Sequence, residues 1–196
     1  MAEISVEQIK KLKELSGAGL TDAKKALVEA DGDFDKALEA MRKKGLTKAE
    51  KRGDRETREG LVEAYIHDGR LGAIVEVNCE TSFVAKTDEF KTLAHQIAMQ
   101  VASMAPLYVS EEDIPEDVKA AKMKELEANF KGPEKMKEQI LAGQAKKAFA
   151  DKVLMNQPYI LDDSKTVEQF IKEAIAKTGE NITVRQFKRI ELGVTE

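Results

Sequence analysis

The chain of 196 residues is 42% apolar and 35% charged, which allows it to bury a core and to form one domain with a small companion. Its 32 basic and 36 acidic side chains nearly balance, which argues against a function that depends only on attraction to nucleic acid or lipid. A single cysteine, the lack of any apolar run near the roughly 18 residues that span a bilayer, and the lack of a secretion signal predict a soluble cytoplasmic protein without an internal disulfide.

The N-terminal segment has the pattern of three short helices. Ser5 and Gln8 stand at the spacing of a capping box, which predicts the start of the first helix. A second helix follows, and Asp33 is placed to cap a third, in which apolar residues recur at helical spacing until Gly45 ends it. We therefore predict a three-helix domain over residues 1–45.

A charged run joins this domain to the remainder of the chain. Residues 42–58 hold eight basic and three acidic side chains and almost no apolar ones, so they can bury little surface. We interpret residues 46–59 as a linker. A phosphate-binding role is the alternative, although no aromatic stacking partners accompany the basic side chains.

Strand patterns begin after the linker. The apolar segments 61–66 and 71–79 are separated by Asp68 and Gly69, a pair typical of a hairpin turn. A continuous apolar stripe over residues 90–104 then predicts the strongest helix of the chain. These patterns indicate a small antiparallel sheet packed with helices.

The C-terminal part continues with helices and closes with a strand. A charge-rich helical region spans 115–155, with a turn expected near Gly132 and Pro133. A final amphipathic helix leads to a strand over residues 181–192. Residues 60–196 are therefore expected to form an α+β core.

The chain lacks the residue patterns of common catalytic and metal sites. His67 and His95 are its only histidines, and neither stands near the single Cys79 at the spacing of a metal or nucleophile site. No phosphate-binding loop or dinucleotide-binding glycine pattern is present. The sequence therefore predicts no enzyme, no metal or cofactor site and no direct nucleotide binding.

One junction in the core is unusual. In NCETSFVAK, at residues 78–86, an apolar strand ends and a large aromatic side chain, Phe83, follows three polar residues. Physical reasoning alone leaves two interpretations open. Phe83 can pack at the strand-to-helix turn, or it can be exposed for a partner.

The junction resembles the N-C-x-T-D-F-V-A pattern of elongation factor Ts, and it is not the only similar segment. SGAGLTDAKKAL at residues 16–27 is similar to the glycine-containing turn of the first domain of that family. NQPYILDD at 156–163 and AKTGENITVRQF at 176–187 are similar to two later segments of the family. The resemblance covers nearly the whole chain, with the segments in the same order.

This resemblance implies a guanine nucleotide exchange factor that binds elongation factor Tu and releases its GDP. In the family, a loop inserts its phenylalanine between two helices of the GTPase, near the Mg²⁺ and phosphate site. The matching residues are Thr81, Ser82, Phe83 and Val84, and the metal ion belongs to the partner. Ser82 departs from the family pattern, which usually has aspartate at that position.

The resemblance also implies how the other parts act. The first domain, of ubiquitin-associated type, docks on the GTPase through positions that correspond to Lys13, Leu20 and Thr21. Leu20 follows a glycine stop, so exposure to a partner and capping of the helical bundle are both open. A single copy of the core implies a homodimer, and the absence of a cysteine near the last strand implies that it is non-covalent.

Two rival functions remain at this point. A ribosome- or RNA-associated protein would use residues 42–58 together with Lys122 and Lys124 for phosphate contacts, and its binding would depend steeply on salt. A ubiquitin-associated-type adaptor would bind its partner through the first domain alone. An enzyme is a more distant alternative, because no pattern points to a substrate pocket.

Overall fold

A computed structural model describes residues 4–130, 133 and 136–194. The chain begins with three helices and continues as a small antiparallel sheet packed with helices, which confirms the predicted α+β class. The helices are α1 (Val6–Ser16), α2 (Leu20–Glu29), α3 (Phe34–Glu50), α4 (Ser82–Ala85), α5 (Asp88–Met104), α6 (Glu116–Ala128), α7 (Lys137–Phe149) and α8 (Val167–Thr178). The strands are β1 (Glu59–His67), β2 (Leu71–Cys79), β3 (Pro158–Tyr159), β4 (Asp162–Thr166) and β5 (Ile182–Glu191).

The N-terminal helices surround a core of their own. Leu12, Leu27 and Met41, one from each helix, are buried together. The predicted capping box is present, since the Ser5 hydroxyl accepts from the backbone N–H of Gln8 and the Gln8 side chain accepts from that of Ser5. The cap and the core both form between residues that are close in sequence. The three helices therefore depend on few contacts with distant parts of the chain.

The third helix is longer than expected. Gly45 was predicted to end it, and that prediction was wrong, because α3 continues to Glu50. A β-carbon added at Gly45 would lie only 3.1 Å from the Ala176 side chain of α8. Because Gly45 has no side chain, α8 can approach α3 closely at this position. It does not act as a stop.

The main sheet has the strand order β1-β2-β5. Asp68 and Gly69 both have positive φ, 50° and 67°, as the predicted hairpin between β1 and β2 requires. The backbone N–H of Leu192 donates to the Arg70 carbonyl oxygen, which places the end of β5 beside the start of β2. The middle strand carries most of the buried side chains of the sheet.

A second hairpin, formed by β3 and β4, was not predicted. It forms around two buried glutamines, because Gln100 donates to Gln157 and accepts from the backbone N–H of Ile160. Gln157 also donates to two backbone carbonyls. Hydrogen bonds of this kind have no periodic pattern in the sequence. The predicted turn near Gly132 lies outside the described residues.

The contacts divide the chain into two compact units. The first holds the described residues up to Glu63 together with Glu76–Ala94 and Gln169–Val184. The second holds Ala64–Val75, His95–Glu168 and the described residues from Arg185 onward. All seven residues that the sequence singled out for partner binding belong to the first unit.

Candidate functional site: an exposed phenylalanine on an anchored turn

The side chain of Phe83 projects into solvent. The central strand β2 ends at the buried Cys79, two residues follow, and the single helical turn α4 begins at Ser82. Phe83 lies in this turn and is 84% exposed, whereas Ala85 at its end is buried. Exposure on this scale is unusual for an aromatic side chain of a folded protein. The structure therefore resolves the two interpretations of Phe83 in favour of exposure.

The N-terminal end of the turn is held by a carboxylate. The backbone N–H of Thr81 donates to Glu180 Oε2 at 3.0 Å, and the Thr81 hydroxyl donates to Glu180 Oε1 at 2.6 Å. The Thr81 carbonyl oxygen accepts from the Cys79 thiol at 3.2 Å and from the Ala85 backbone N–H at 3.3 Å. All the polar groups of Thr81 are thus bonded within the protein.

The C-terminal end is held by a threonine. The Val84 carbonyl oxygen accepts from the Thr87 backbone N–H at 3.0 Å and from its hydroxyl at 2.8 Å. The same hydroxyl oxygen accepts from the backbone N–H of Phe90 at 3.2 Å, as an N-terminal cap of α5 does. Thr87 therefore connects the turn to α5.

The neighbouring residue Asn181 binds the chain that precedes β1. Its backbone N–H donates to Glu80 Oε1 at 2.6 Å. Its side-chain amide donates to the carbonyl oxygens of Gly53, at 3.1 Å, and Arg55, at 2.8 Å. Asn181 is only 2% exposed, so these bonds are sheltered from water.

Burial raises the pKa of the Cys79 thiol, and the negative charge of Glu180 adds to the effect. The thiol is therefore kept protonated and can donate its hydrogen to Thr81. A buried thiol with a raised pKa is a poor nucleophile, so the geometry gives Cys79 a packing role.

The residues expected to dock the first domain lie at one end of the helical trio. Lys13 is in the last turn of α1, and Leu20 and Thr21 begin α2. All three are exposed, with Leu20 at 50%. Leu20 is the first residue of α2, directly after Gly19. Its exposure leaves it open to a partner.

The two histidines lie against the same tyrosine. Both contact Tyr65, His67 by stacking and His95 edge-on, with ring centroids 6.0 and 5.6 Å away. Within residues 4–130, 133 and 136–194, no group of three His, Cys, Asp or Glu side chains is placed to hold a metal ion. Among the exposed large apolar side chains of the described residues, Phe83 has the largest exposed fraction.

The comparisons with known proteins place the chain in one family. The family model described as Elongation factor TS matches residues 4–194. The chain belongs to the elongation factor Ts family. It is 52% identical over 193 residues to elongation factor Ts of Thermotoga maritima, an alignment that covers 97% of each chain. It is 50% identical over 194 residues to that of Moorella thermoacetica, covering 97% of this chain and 96% of the relative.

The alignment with a longer relative covers less of that relative. Elongation factor Ts of Rippkaea orientalis is 51% identical over 199 residues, which is 98% of this chain and 80% of the relative. Membership of the elongation factor Ts family assigns the chain to the elongation phase of protein synthesis. In the described part of the chain, no helix is long and apolar enough to cross a membrane.

The sequence predicted the turn that carries Phe83 but not the residues that hold it. Glu80, Glu180 and Asn181 were not singled out, although the last two lie in a segment noted for its resemblance. A glycine that ends a helix, followed by two polar residues before a buried strand, was the available signal. Their partners are about a hundred residues away in the chain, so no local pattern reveals them.

Proposed function

We propose that this protein binds elongation factor Tu in its GDP form, promotes GDP release and allows GTP to bind in its place. It does so by inserting Phe83 near the Mg²⁺ and phosphate site of the GTPase, and it catalyses no covalent chemistry of its own. The observation that carries this proposal is the exposure of Phe83 on a turn anchored at both ends.

The energetics favour an insertion step. Burying a phenylalanine side chain in a partner stabilises the complex by about 1.5–3 kcal/mol. Because Mg²⁺ requires near-octahedral coordination, a small displacement of the surrounding helices weakens the hold on the ion and on the phosphates. A factor that binds this loosened state more tightly than the GDP-bound state shifts the population towards nucleotide release. Thr81 and Val84 set the position of the inserted ring.

The three-helix domain supplies a second contact. Lys13, Leu20 and Thr21 offer a cation, an apolar side chain and a hydroxyl on adjacent helix ends, which suits docking to the surface of the GTPase domain. We propose residues 1–45 as the docking domain, of ubiquitin-associated type, 46–59 as its linker and 60–196 as the core. Two linked contacts raise the effective concentration of the phenylalanine at its site.

We further propose a non-covalent homodimer formed through the exposed sheet face. Tyr65 contacts His95 of α5, and Arg189 donates to the Ala102 carbonyl of the same helix at 2.9 Å, so these side chains mark the covered face. Side chains alternate along strands, so Ile66, Ile74 and Ile190 point to the other face. Their exposed fractions, 72%, 47% and 76%, are large for isoleucine, and a second copy of the chain would cover them.

A nucleic-acid partner receives less support. In the basic run, Arg52 donates to the Ile175 carbonyl oxygen and Arg55 lies 3.4 Å from Glu80. On α6, Lys122 is paired with Glu125 at 2.9 Å. Guanidinium and ammonium groups engaged in this way are less available to phosphates. We therefore propose a cytoplasmic protein factor that binds neither nucleic acid, nor membrane, nor nucleotide directly.

Release of a fluorescent GDP analogue from elongation factor Tu, followed by stopped flow, tests the function. We expect the protein to accelerate release in a saturable manner, with no acceleration from an equal concentration of an unrelated acidic protein. A release rate that does not change with the concentration of this protein would refute the proposal. Steeply salt-dependent binding to ribosomal RNA would support the rival function instead.

A further inference from the structure

The turn that carries Phe83 has almost no packing of its own. Four residues form α4, and of these only Ala85 is buried. One helical turn is too short to be stable by itself, because nucleation costs more than a single hydrogen bond returns. The direction of the exposed ring must therefore be set by contacts from outside the turn.

The strongest of these contacts come from one carboxylate. Both oxygens of Glu180 accept hydrogen bonds from Thr81, one from the backbone and one from the hydroxyl. Thr81 is the N-terminal cap residue of α4, yet its side chain makes no capping bond to the turn, because the hydroxyl donates to Glu180. Charge-assisted bonds of this kind are about twice as strong as neutral ones.

Glu180 is itself held in place. It follows Gly179, whose φ of 81° ends α8, and it precedes the buried Asn181. The three hydrogen bonds that Asn181 makes, to Glu80 and to the backbone at Gly53 and Arg55, fix the chain on the far side of the carboxylate. The carboxylate is thus presented from a rigid position, as orienting a second group requires.

We infer that Glu180 is a positioning residue for nucleotide exchange, which holds the Phe83 turn in its inserting conformation through its two bonds to Thr81 without itself touching the reacting site. This inference rests on the proposed function. Without the two bonds, the turn samples other conformations, so in a complex already docked through the three-helix domain only the competent fraction inserts the ring. Loss of the carboxylate therefore lowers the maximal rate of release more than it weakens association.

The buried thiol gives a test that needs no partner. Cys79 donates to the same Thr81 that Glu180 holds, so its rate of alkylation by iodoacetamide reports the opening of this corner. We expect Glu180→Ala to raise that rate about tenfold, the scale of one charge-assisted hydrogen bond. Both Glu180→Ala and Glu180→Gln remove the negative charge that adds to the raised pKa of Cys79. Glu180→Gln keeps one acceptor oxygen, so a holding role predicts that it reacts more slowly than Glu180→Ala, and equal rates in the two variants would overturn that role.

Asp113 offers a matched control for this experiment. Its carboxylate accepts from both the backbone N–H and the hydroxyl of Ser110, each at 2.8 Å, in the second compact unit. Asp113→Ala removes the same kind of pair elsewhere and should leave Cys79 alkylation at the wild-type rate. If Glu180→Ala reacts no faster than the wild type, the holding role of Glu180 is refuted.

GDP release measured over a range of factor concentrations tests whether Glu180 contributes to nucleotide exchange. We expect Glu180→Ala to lower the maximal rate about tenfold and to change the half-saturating concentration less than about twofold, with Glu180→Gln recovering part of the rate. In a background of Phe83→Ala, Glu180→Ala should have no further effect, since it acts through the ring.

The outcomes separate the two claims. An additive loss in the double variant shows that Glu180 acts on something other than Phe83 and overturns the inference. If Phe83→Ala releases GDP at the wild-type rate, the insertion mechanism itself fails. In that case, faster alkylation of Glu180→Ala would show that Glu180 holds the Phe83 turn but has no role in nucleotide exchange.

Discussion

Phe83 and Phe90 lie seven residues apart in the chain, yet one is 84% exposed and the other 1% exposed. Phe90 belongs to the apolar stripe of α5 and fills the core, whereas Phe83 lies on a turn that is fixed by hydrogen bonds at both ends. The same side chain thus stabilises the fold at one position and contributes little to it at the other. The exposed ring of Phe83 is what its proposed insertion into a partner requires.

Truncation of the buried ring should have the largest effect on stability. Phe90→Ala removes a fully buried side chain and leaves a cavity, so we expect a loss of about 3–5 kcal/mol in the free energy of unfolding. Phe83→Ala should stay within about 0.5 kcal/mol of the wild type. Denaturant unfolding of the three proteins measures both values. An equal loss of unfolding free energy in the two variants would show that both rings contribute alike to stability.

The exposed sheet face provides a second test, because it is apolar like Phe83 but lies on regular strands. Ile66→Lys would bury an ammonium group in the proposed dimer, and we expect dimer dissociation to become easier by about a hundredfold or more. Val28→Lys, at an exposed position on α2, is the matched control. Sedimentation at micromolar concentration measures the change. Wild-type protein that sediments as a monomer would contradict the proposed homodimer.

The serine beside Phe83 tests how the turn contacts the partner. Ser82 is the first residue of α4 and is half-buried. Ser82→Asp adds a carboxylate that can accept charged hydrogen bonds from the partner, so we expect up to about a tenfold gain in affinity or exchange. The gain should shrink at high salt. Ser82→Ala should remain close to the wild type, and a slower Ser82→Asp variant would show a partner surface adapted to serine.

The thiol at the base of the turn predicts a small dependence on pH. Because the pKa of Cys79 is raised in the folded protein, the native thiol deprotonates at higher pH than the unfolded one. Its contribution to stability is therefore complete below the pKa of the unfolded thiol and is lost as pH rises through that of the folded one. Alkylation should be slower in the native than in the urea-unfolded protein at every pH, and equal rates would contradict the burial.

The sequence predicted the features that follow local rules. The capping box at Ser5, the hairpin at Asp68 and the stripe around Phe90 each follow a local rule, and all three are present. The predicted helix end at Gly45 was wrong because this glycine allows a close contact with α8, a helix far along the chain. Glu180 was missed for the same reason. Its partner Thr81 is distant in sequence, and polar contacts of this type leave no periodic pattern in the sequence.

The maximal rate of GDP release with Phe83→Ala tests the central claim most directly. Stopped-flow release from elongation factor Tu, over a range of factor concentrations, separates this rate from association. If the ring acts by insertion, the maximal rate should fall about 10- to 150-fold, which corresponds to the loss of about 1.5–3 kcal/mol of burial, while the half-saturating concentration changes little. A maximal rate equal to that of the wild type would contradict the account.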